Sequence, residues 1–460
     1  MNTLSAPFVL DPSLLPLPVP GPVHGDQHRL RRDQFARAVA KKAGGEPALV
    51  LLFSGEEISR NRDNTFPFRF SSDFFYLTGF PEPDSWLVMQ VAADGSYEDT
   101  LFCRPRDAER EIWDGVRVGP EAAPERYSVR SAHSLSEIDG LLPKWMQGSR
   151  AVVAPWGASA GLDQQLRTWL ERSRASARGG IRAPDRLIDL SELLSYQRLI
   201  KDDQELATMA RAAEISAQAH VLAMRGTRAG MAEFEIEAIL LAAFRRAGSQ
   251  SVAYGSIVAS GPHSCILHHR AGARVLRDGE LLLIDAGCEL DGYASDITRT
   301  YPVNGKFTGA QRAAYEVVLR AQAAAQAATQ VGAPFTAPHE AAVRVIAEGL
   351  LDLGLVPKAP IDEVIAQGQY RRFYMHRTGH YLGMDVHDVG DYTLPLAERM
   401  VLTLEPGLYV QPAADIPEAF WNVGIRIEDD AVVQAQGSRL LTRGVPVDAD
   451  AIEALMRQGH

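Results

Sequence analysis

The apolar run Leu281, Leu282, Leu283, Ile284 ends directly in Asp285, and the pattern recurs where residues 401–404 feed Glu405 ahead of the turn Pro406–Gly407. Ile425 and Ile427 alternate with Arg426 and Glu428, a period of two that sets Arg426 and Glu428 on a common face. Three strand-like contexts thus each present carboxylate, and a carboxylate taken into a core must be paired or metal-bound. Beyond Asp285, the pair Asp291–Gly292 offers a two-residue turn, and residues 293–301 lead away as a second strand. In that register Asp285 faces Thr298, with Asp296 two positions along on the same face; diagonal neighbours of this kind lie about 7 Å apart. Both acids converge on one point unless a bulge shifts the pairing. Between these segments lies His376-Arg377-Thr378-Gly379-His380, then Gly383 and His387. Glycines this frequent predict an irregular, close-packed backbone rather than a regular helix.

Singly, each signal has an ordinary explanation. An Asp at a strand end serves as a cap or turn residue. Two histidines four apart suit a helix surface or a satisfied core pair, and Glu428 can pair with Arg426 in a salt bridge. The set is not explained that way. Asp285, Asp296, Glu405 and Glu428 bring four negative charges, which two divalent cations balance, whereas none would force several protonations. One imidazole among four carboxylates suits Mn²⁺, Co²⁺ or Zn²⁺ better than Mg²⁺ or Ca²⁺. Paired ions about 3.5–4 Å apart hold a bridging water and lower its pKa, which favours hydrolysis.

Composition narrows the rest. The 460 residues carry 47 basic against 58 acidic side chains, a net charge of −11, which argues against a nucleic-acid binder needing a basic face. With 46% apolar residues this is an ordinary globular mixture, large enough for two or three domains and a core without staples. Three scattered cysteines (Cys103, Cys265, Cys288) make no disulfide framework and predict a reducing compartment. No stretch reaches the roughly 18 apolar residues of a membrane span. Prolines 7, 12, 16, 18, 20 and 22 break any secretory core in residues 1–28, which read as an extended arm. The expectation is a soluble, cytoplasmic protein that binds neither nucleic acid nor membrane.

Residues 34–42 are helix-compatible, 48–53 and 151–156 strand-like, and 85–102 hold two apolar runs around Asp94–Gly95, a hairpin signal. An α/β first domain follows. Residues 177–185 are punctuated by glycine and proline and form the expected linker. Asp202, Asp203 and Glu205 open a helix running to Met224, acids at its positive end. Further helices are expected over about 310–330 and 338–353, with apolar strands dominating the remainder: an α+β second domain. There is neither a Walker-type run nor a GxGxxG after a strand.

Asp285, Asp296, His380, Glu405 and Glu428, in the settings LIDAG, SDITRTYPVNGKFT, HRTGHYLGMDVHDVG, LTLEPGLYV and GIRIEDD, closely resemble the pita-bread metallopeptidases, and within them aminopeptidase P. The likeness extends over nearly the whole chain after the arm, through SDFFYLTGF, EIWDGVRVG and YGSIVASGPHSCILHH. It implies an aminopeptidase P-like N-terminal domain over 29–180 and a pita-bread catalytic domain over 186–455. It implies a dinuclear-metal hydrolase, with manganese the first expectation and zinc or cobalt as alternatives. The substrate it implies is a peptide with proline second, from which a metal-bridging hydroxide would release the N-terminal residue.

By that likeness Asp285 is a terminal ligand of one ion, Asp296 and Glu428 bridge both, and His380 and Glu405 complete the second. Glu405 also shuttles a proton to the departing amine. His268, His376 and His387 orient substrate and stabilise the oxyanion, and Tyr409 and Arg426 fall at active-site positions. Trp113 matches a tryptophan that in the family reaches a neighbouring subunit's site, and Arg178 matches an active-site arginine within a loose motif. A homo-oligomer, tetramer or dimer, is implied.

Two departures stand out. After His268 the family has tyrosine and then polar or acidic residues, where this chain has His269-Arg270-Ala271-Gly272, and the arm has no counterpart in shorter relatives. The bond before proline lacks an N–H, so a proline-selective site must read the ring by shape. Rival readings are an Xaa-Pro dipeptidase on the same core and a non-catalytic binding module that reuses the fold. A methionine aminopeptidase does not need so large a first domain, and the metal-free creatinase type lacks the carboxylate set.

Overall fold

A computed structural model describes residues 25–176 and 182–458. Residues 1–24 of the expected arm and 177–181 of the expected linker, Arg178 among them, lie outside the described residues. The chain divides into two compact units, Gly21–Gln197 and the part from Arg198 onward.

The first unit is built on a six-stranded mixed sheet. Its centre is Ala48–Phe53, antiparallel to Trp86–Val91 and parallel to Ala151–Ala154, with Leu51 opposite Val88 and Leu49 opposite Val152. Such strands, buried on both faces, need continuous apolar runs, and ALVLLF supplies one. The hairpin at Asp94–Gly95 forms as expected: Gly95 takes φ 84°, and Asp94 Oδ1 accepts from the Ser96 backbone N–H. The opening helix is longer than expected, Gly25–Lys42 instead of 34–42. Its early basic residues hide this from a hydropathy pattern, because Arg32 is buried and donates to Leu77 O at 2.7 Å.

Among its described residues, the second unit places four short sheets, three of three strands and one of two, among long helices. Leu281–Asp285 pairs with Ile257–Ser260 and Thr298–Pro302, and the predicted register holds, Asp285 opposite Thr298. Val401–Leu404 pairs with Asp429–Val433, and Gly407–Val410 with Val423–Arg426. Asp202 caps the helix Asp203–Gly226, accepting from Glu205 N at 2.8 Å while Glu205 bonds back to Asp202 N. Helices Gly309–Ala328 and Ala337–Asp352 lie near their expected places.

Two expectations fail. The strand expected over 293–301 is interrupted and runs as Tyr293–Ala294 and Thr298–Pro302, with Asp296 in the break. Residues 233–246, left among apolar strands, form a helix, Glu233–Arg246. Phe234-Glu235-Ile236-Glu237 alternates like a strand, but the buried residues Ile236, Ile239, Leu240, Ala243 and Phe244 follow helical spacing. Among the described residues, no helix is long and apolar enough to cross a membrane.

Candidate metal centre

Strand ends carry the acids inward. A cavity of about 670 Å³ in the second unit is lined by Asp285, Asp296, His268, His376, His380, His387, Glu405, Arg426 and Glu428. All five predicted metal-ligating side chains therefore meet in one place, although 143 positions separate the outermost pair (428 − 285). Asp296, His380 and Glu428 offer ligand atoms that all lie within 4.8 Å of one another. Asp285 and Glu405 share the cavity but stand outside that tightest group.

The histidine loop is held by close approach to a strand. A Cβ on Gly379 would stand 2.0 Å from the Thr403 carbonyl oxygen, so only glycine fits. Thr403 N donates to His380 O at 2.9 Å, and His380 N donates to Thr403 Oγ1 at 3.2 Å. As expected, residues 376–390 form no helix. His380 Nδ1 lies 3.0 Å from the Tyr381 carbonyl, which fixes the tautomer and leaves the Nε2 lone pair free. That Nε2 points at Asp296 Oδ2, 3.6 Å away, and at Glu405 Oε1, 3.9 Å away.

The carboxylates are crowded and largely buried. Burial, then the charges of Glu428 and Asp285, holds Asp296 far above the ordinary carboxylate range. Burial and the charges of Glu405 and Asp285 do the same to Glu428, and burial pushes Glu405 up to about 8. Burial also holds His380 neutral, down at about 4. Bare, this group must take up protons; divalent cations relieve the same repulsion without them. The donor set of carboxylate oxygens and one neutral imidazole with a free lone pair therefore fits a metal centre.

Arg426 does not pair with Glu428, which removes the bland salt-bridge reading. Its Nη2 donates to Asp285 Oδ2 at 2.6 Å, its Nη1 to the Tyr409 hydroxyl at 3.0 Å, and its Nε to Thr298 Oγ1 at 3.1 Å. Glu428 accepts instead from Thr298 Oγ1 at 2.6 Å. Tyr409 stands 2.8 Å from His376 Nε2, whose Nδ1 faces the Arg377 carbonyl at 2.7 Å. This chain of donors runs from Arg426 through Tyr409 to His376. Burial, with Arg426 nearby, lowers His376 to about 3, so its ring is neutral. His268 and His387 are exposed on the cavity wall, with the His387 ring 4.2 Å from that of His380. Trp113 belongs to the first unit, on the helix Ala108–Asp114, and is 84% exposed.

One central residue escaped the sequence reading. The hydroxyl of Tyr254 lies 2.5 Å from both Asp285 Oδ1 and Asp296 Oδ1. It carries no charge and interrupts no apolar run; its place at the head of the stretch YGSIVASGPHSCILHH was the one signal that pointed to it.

Comparison with known proteins follows the same lines. The model of metallopeptidase family M24 matches residues 207–435, and that of the aminopeptidase P N-terminal domain matches residues 28–154. The chain is 42% identical to Xaa-Pro aminopeptidase of Escherichia coli over 88% of its own length and 93% of that protein's. It is 34% identical to human Xaa-Pro aminopeptidase 3, over 94% and 86%. The solved aminopeptidase PepP of Pseudomonas aeruginosa superposes with a TM-score of 0.91 at 43% identity, covering 95% of this chain and 99% of that one. Zinc-substituted E. coli aminopeptidase P in complex with product gives 0.92 at 40% identity, covering 96% and 100%.

Proposed function

This chain belongs to metallopeptidase family M24, in its aminopeptidase P branch, and on that premise we propose that it releases the N-terminal residue from peptides whose second residue is proline. The observation that carries the reading is the convergence of Asp285, Asp296, His380, Glu405 and Glu428 on one cavity. Those five side chains would hold two divalent cations, manganese first and zinc or cobalt as substitutes, with Asp296 and Glu428 shared between them. Such ions, when bound, polarise a carbonyl and lower the pKa of a water.

The chain's own groups do the rest. His268 and His387, exposed on the wall, meet the peptide and stabilise negative charge on the scissile carbonyl oxygen. Arg426 and Tyr409 hold His376 as a neutral ring in a fixed orientation, a wall against which proline packs by shape. A proline nitrogen leaves only after gaining a proton, and Glu405 carries that proton to it. The N-terminal domain is assigned to the first compact unit, with Arg186–Asp189 beside Ala151–Ala154 in its sheet, and the catalytic domain to the part from Arg198 onward rather than from 186. The reading extends to the cytoplasm, supported by three buried, unpaired cysteines, and to a homo-oligomer, tetramer or dimer, as in the family.

The test is direct. Protein loaded with Mn²⁺ is given a tripeptide with proline second and the matching Xaa-Pro dipeptide, and free N-terminal amino acid is measured. Release from the tripeptide, lost to chelator and restored by Mn²⁺, is expected. Cleavage of the dipeptide alone would make the protein a dipeptidase, and cleavage of neither would leave a binding module.

A further inference from the structure

A second cluster of metal-ligating side chains stands behind the segment that presents His268. Glu233, in the first turn of the helix Glu233–Arg246, is fully buried, and its carboxylate is ringed by donors. Oε1 accepts from Ser260 N at 2.9 Å and Ser260 Oγ at 2.8 Å, and faces His263 Nδ1 at 2.9 Å. Oε2 accepts from Gly272 N at 3.2 Å and faces His269 Nε2 at 2.8 Å. Donors this numerous keep a carboxylate ionised. Ser260 and Gly272 bracket the segment, so one side chain fastens both of its ends. His268 and Arg270 line the cavity, whereas His269 between them turns to Glu233.

The imidazole nitrogens of His263 and His269 and a Glu233 oxygen all lie within 4.8 Å of one another. The two rings are 4.1 Å apart. Glu233 is sealed, but His263 keeps 31% and His269 15% of its side chain exposed, which leaves a way in from solvent. Two imidazoles and one carboxylate form the three-ligand set that holds zinc with a position to spare, and they select borderline cations over Mg²⁺ or Ca²⁺. The nitrogen–oxygen pairs stand at hydrogen-bond distance, 2.9 and 2.8 Å, so each has to open by roughly half an ångström to take neighbouring positions on bonds of about 2.0–2.2 Å.

We propose that Glu233, His263 and His269 form a third cation site, for a divalent ion of the zinc class, which clamps the segment presenting His268. Without the ion, each imidazole donates a hydrogen bond to the carboxylate from its facing ring N–H. When the ion binds, that proton moves through water to the other ring nitrogen, and both lone pairs turn to the cation. Ser260 and Gly272 continue to orient the carboxylate, as outer partners do around metal ligands. The site does not depend on what the cavity cleaves.

The test counts zinc. Chelator-stripped protein is equilibrated with Zn²⁺ and dialysed, beside the double variant His263→Asn, His269→Gln, which keeps a donor toward Glu233 and removes both imidazoles. Wild type is expected to retain about one zinc more per chain, with the affinity for that ion falling at least about tenfold in the variant. Equal retention overturns the proposal. Anomalous diffraction at the zinc edge from wild-type crystals needs no variant: a peak among Glu233, His263 and His269 is expected, and none there overturns it.

Discussion

The hydroxyl of Tyr254 lies 2.5 Å from the carboxylate of Asp296, at the same distance as from Asp285. A phenol has one hydrogen to give, so two carboxylates sharing it repel each other unless a proton or a cation stands between them.

Tyr254→Phe removes that shared donor without changing shape. Turnover on a proline-second tripeptide and affinity for metal are expected to fall about 10–100-fold, as when an outer partner of a metal ligand is lost. Steady-state kinetics beside metal titration checks this. Wild-type values for both would mean that the hydroxyl only fills space.

Gly379→Ala sets a methyl against the Thr403 carbonyl, which is backbone and cannot swing aside. A loss of about 1–3 kcal/mol in urea unfolding is expected, with lower activity because His380 shares that contact. An unchanged midpoint would show that the loop moves freely.

His387→Ala is expected to cut turnover while metal content stays at the wild-type level, because His387 is exposed on the wall and cast as a group that meets substrate. Metal analysis and kinetics on one preparation separate the two effects. Loss of metal instead would move His387 into the ligand set.

His220, which faces the carbonyl of the residue after Asp285, supplies a pH dependence of its own. It is fully buried, its Nε2 is 2.9 Å from the Ala286 carbonyl, and burial lowers it to about 4 from an ordinary 6.5. Between those values the unfolded chain binds the proton and the folded one does not, so stability falls as pH drops through that window. The His220 share is on the order of 3 kcal/mol. Urea unfolding of stripped wild type and His220→Gln between about pH 7 and pH 4 is expected to show a shallower loss in the variant. Parallel curves would contradict it.

The acids were legible because the chain places charge where apolar periodicity demands none. The Asp291–Gly292 turn then sets Asp285 opposite Thr298. The irregular backbone after His376 was legible from its glycines. Tyr254 was not, since an uncharged aromatic beside a strand reads as core. Nor was the helix Glu233–Arg246, whose first residues alternate with a strand's period. The hub at Glu233 was hidden for a different reason. Its partners Ser260, His263, His269 and Gly272 come from a separate segment, and nothing local to Glu233 announces them.

The central claim is that this cavity works only with metal held by its acids, and Asp296 is the acid proposed to touch both ions. The most direct measurement is cleavage of a proline-second tripeptide by chelator-stripped wild type and Asp296→Ala as Mn²⁺ is added. Wild type should rise from no activity to a plateau near about two equivalents per chain, and the variant should stay silent with manganese affinity lost at both positions. Full turnover by stripped wild type, or by Asp296→Ala, would contradict it.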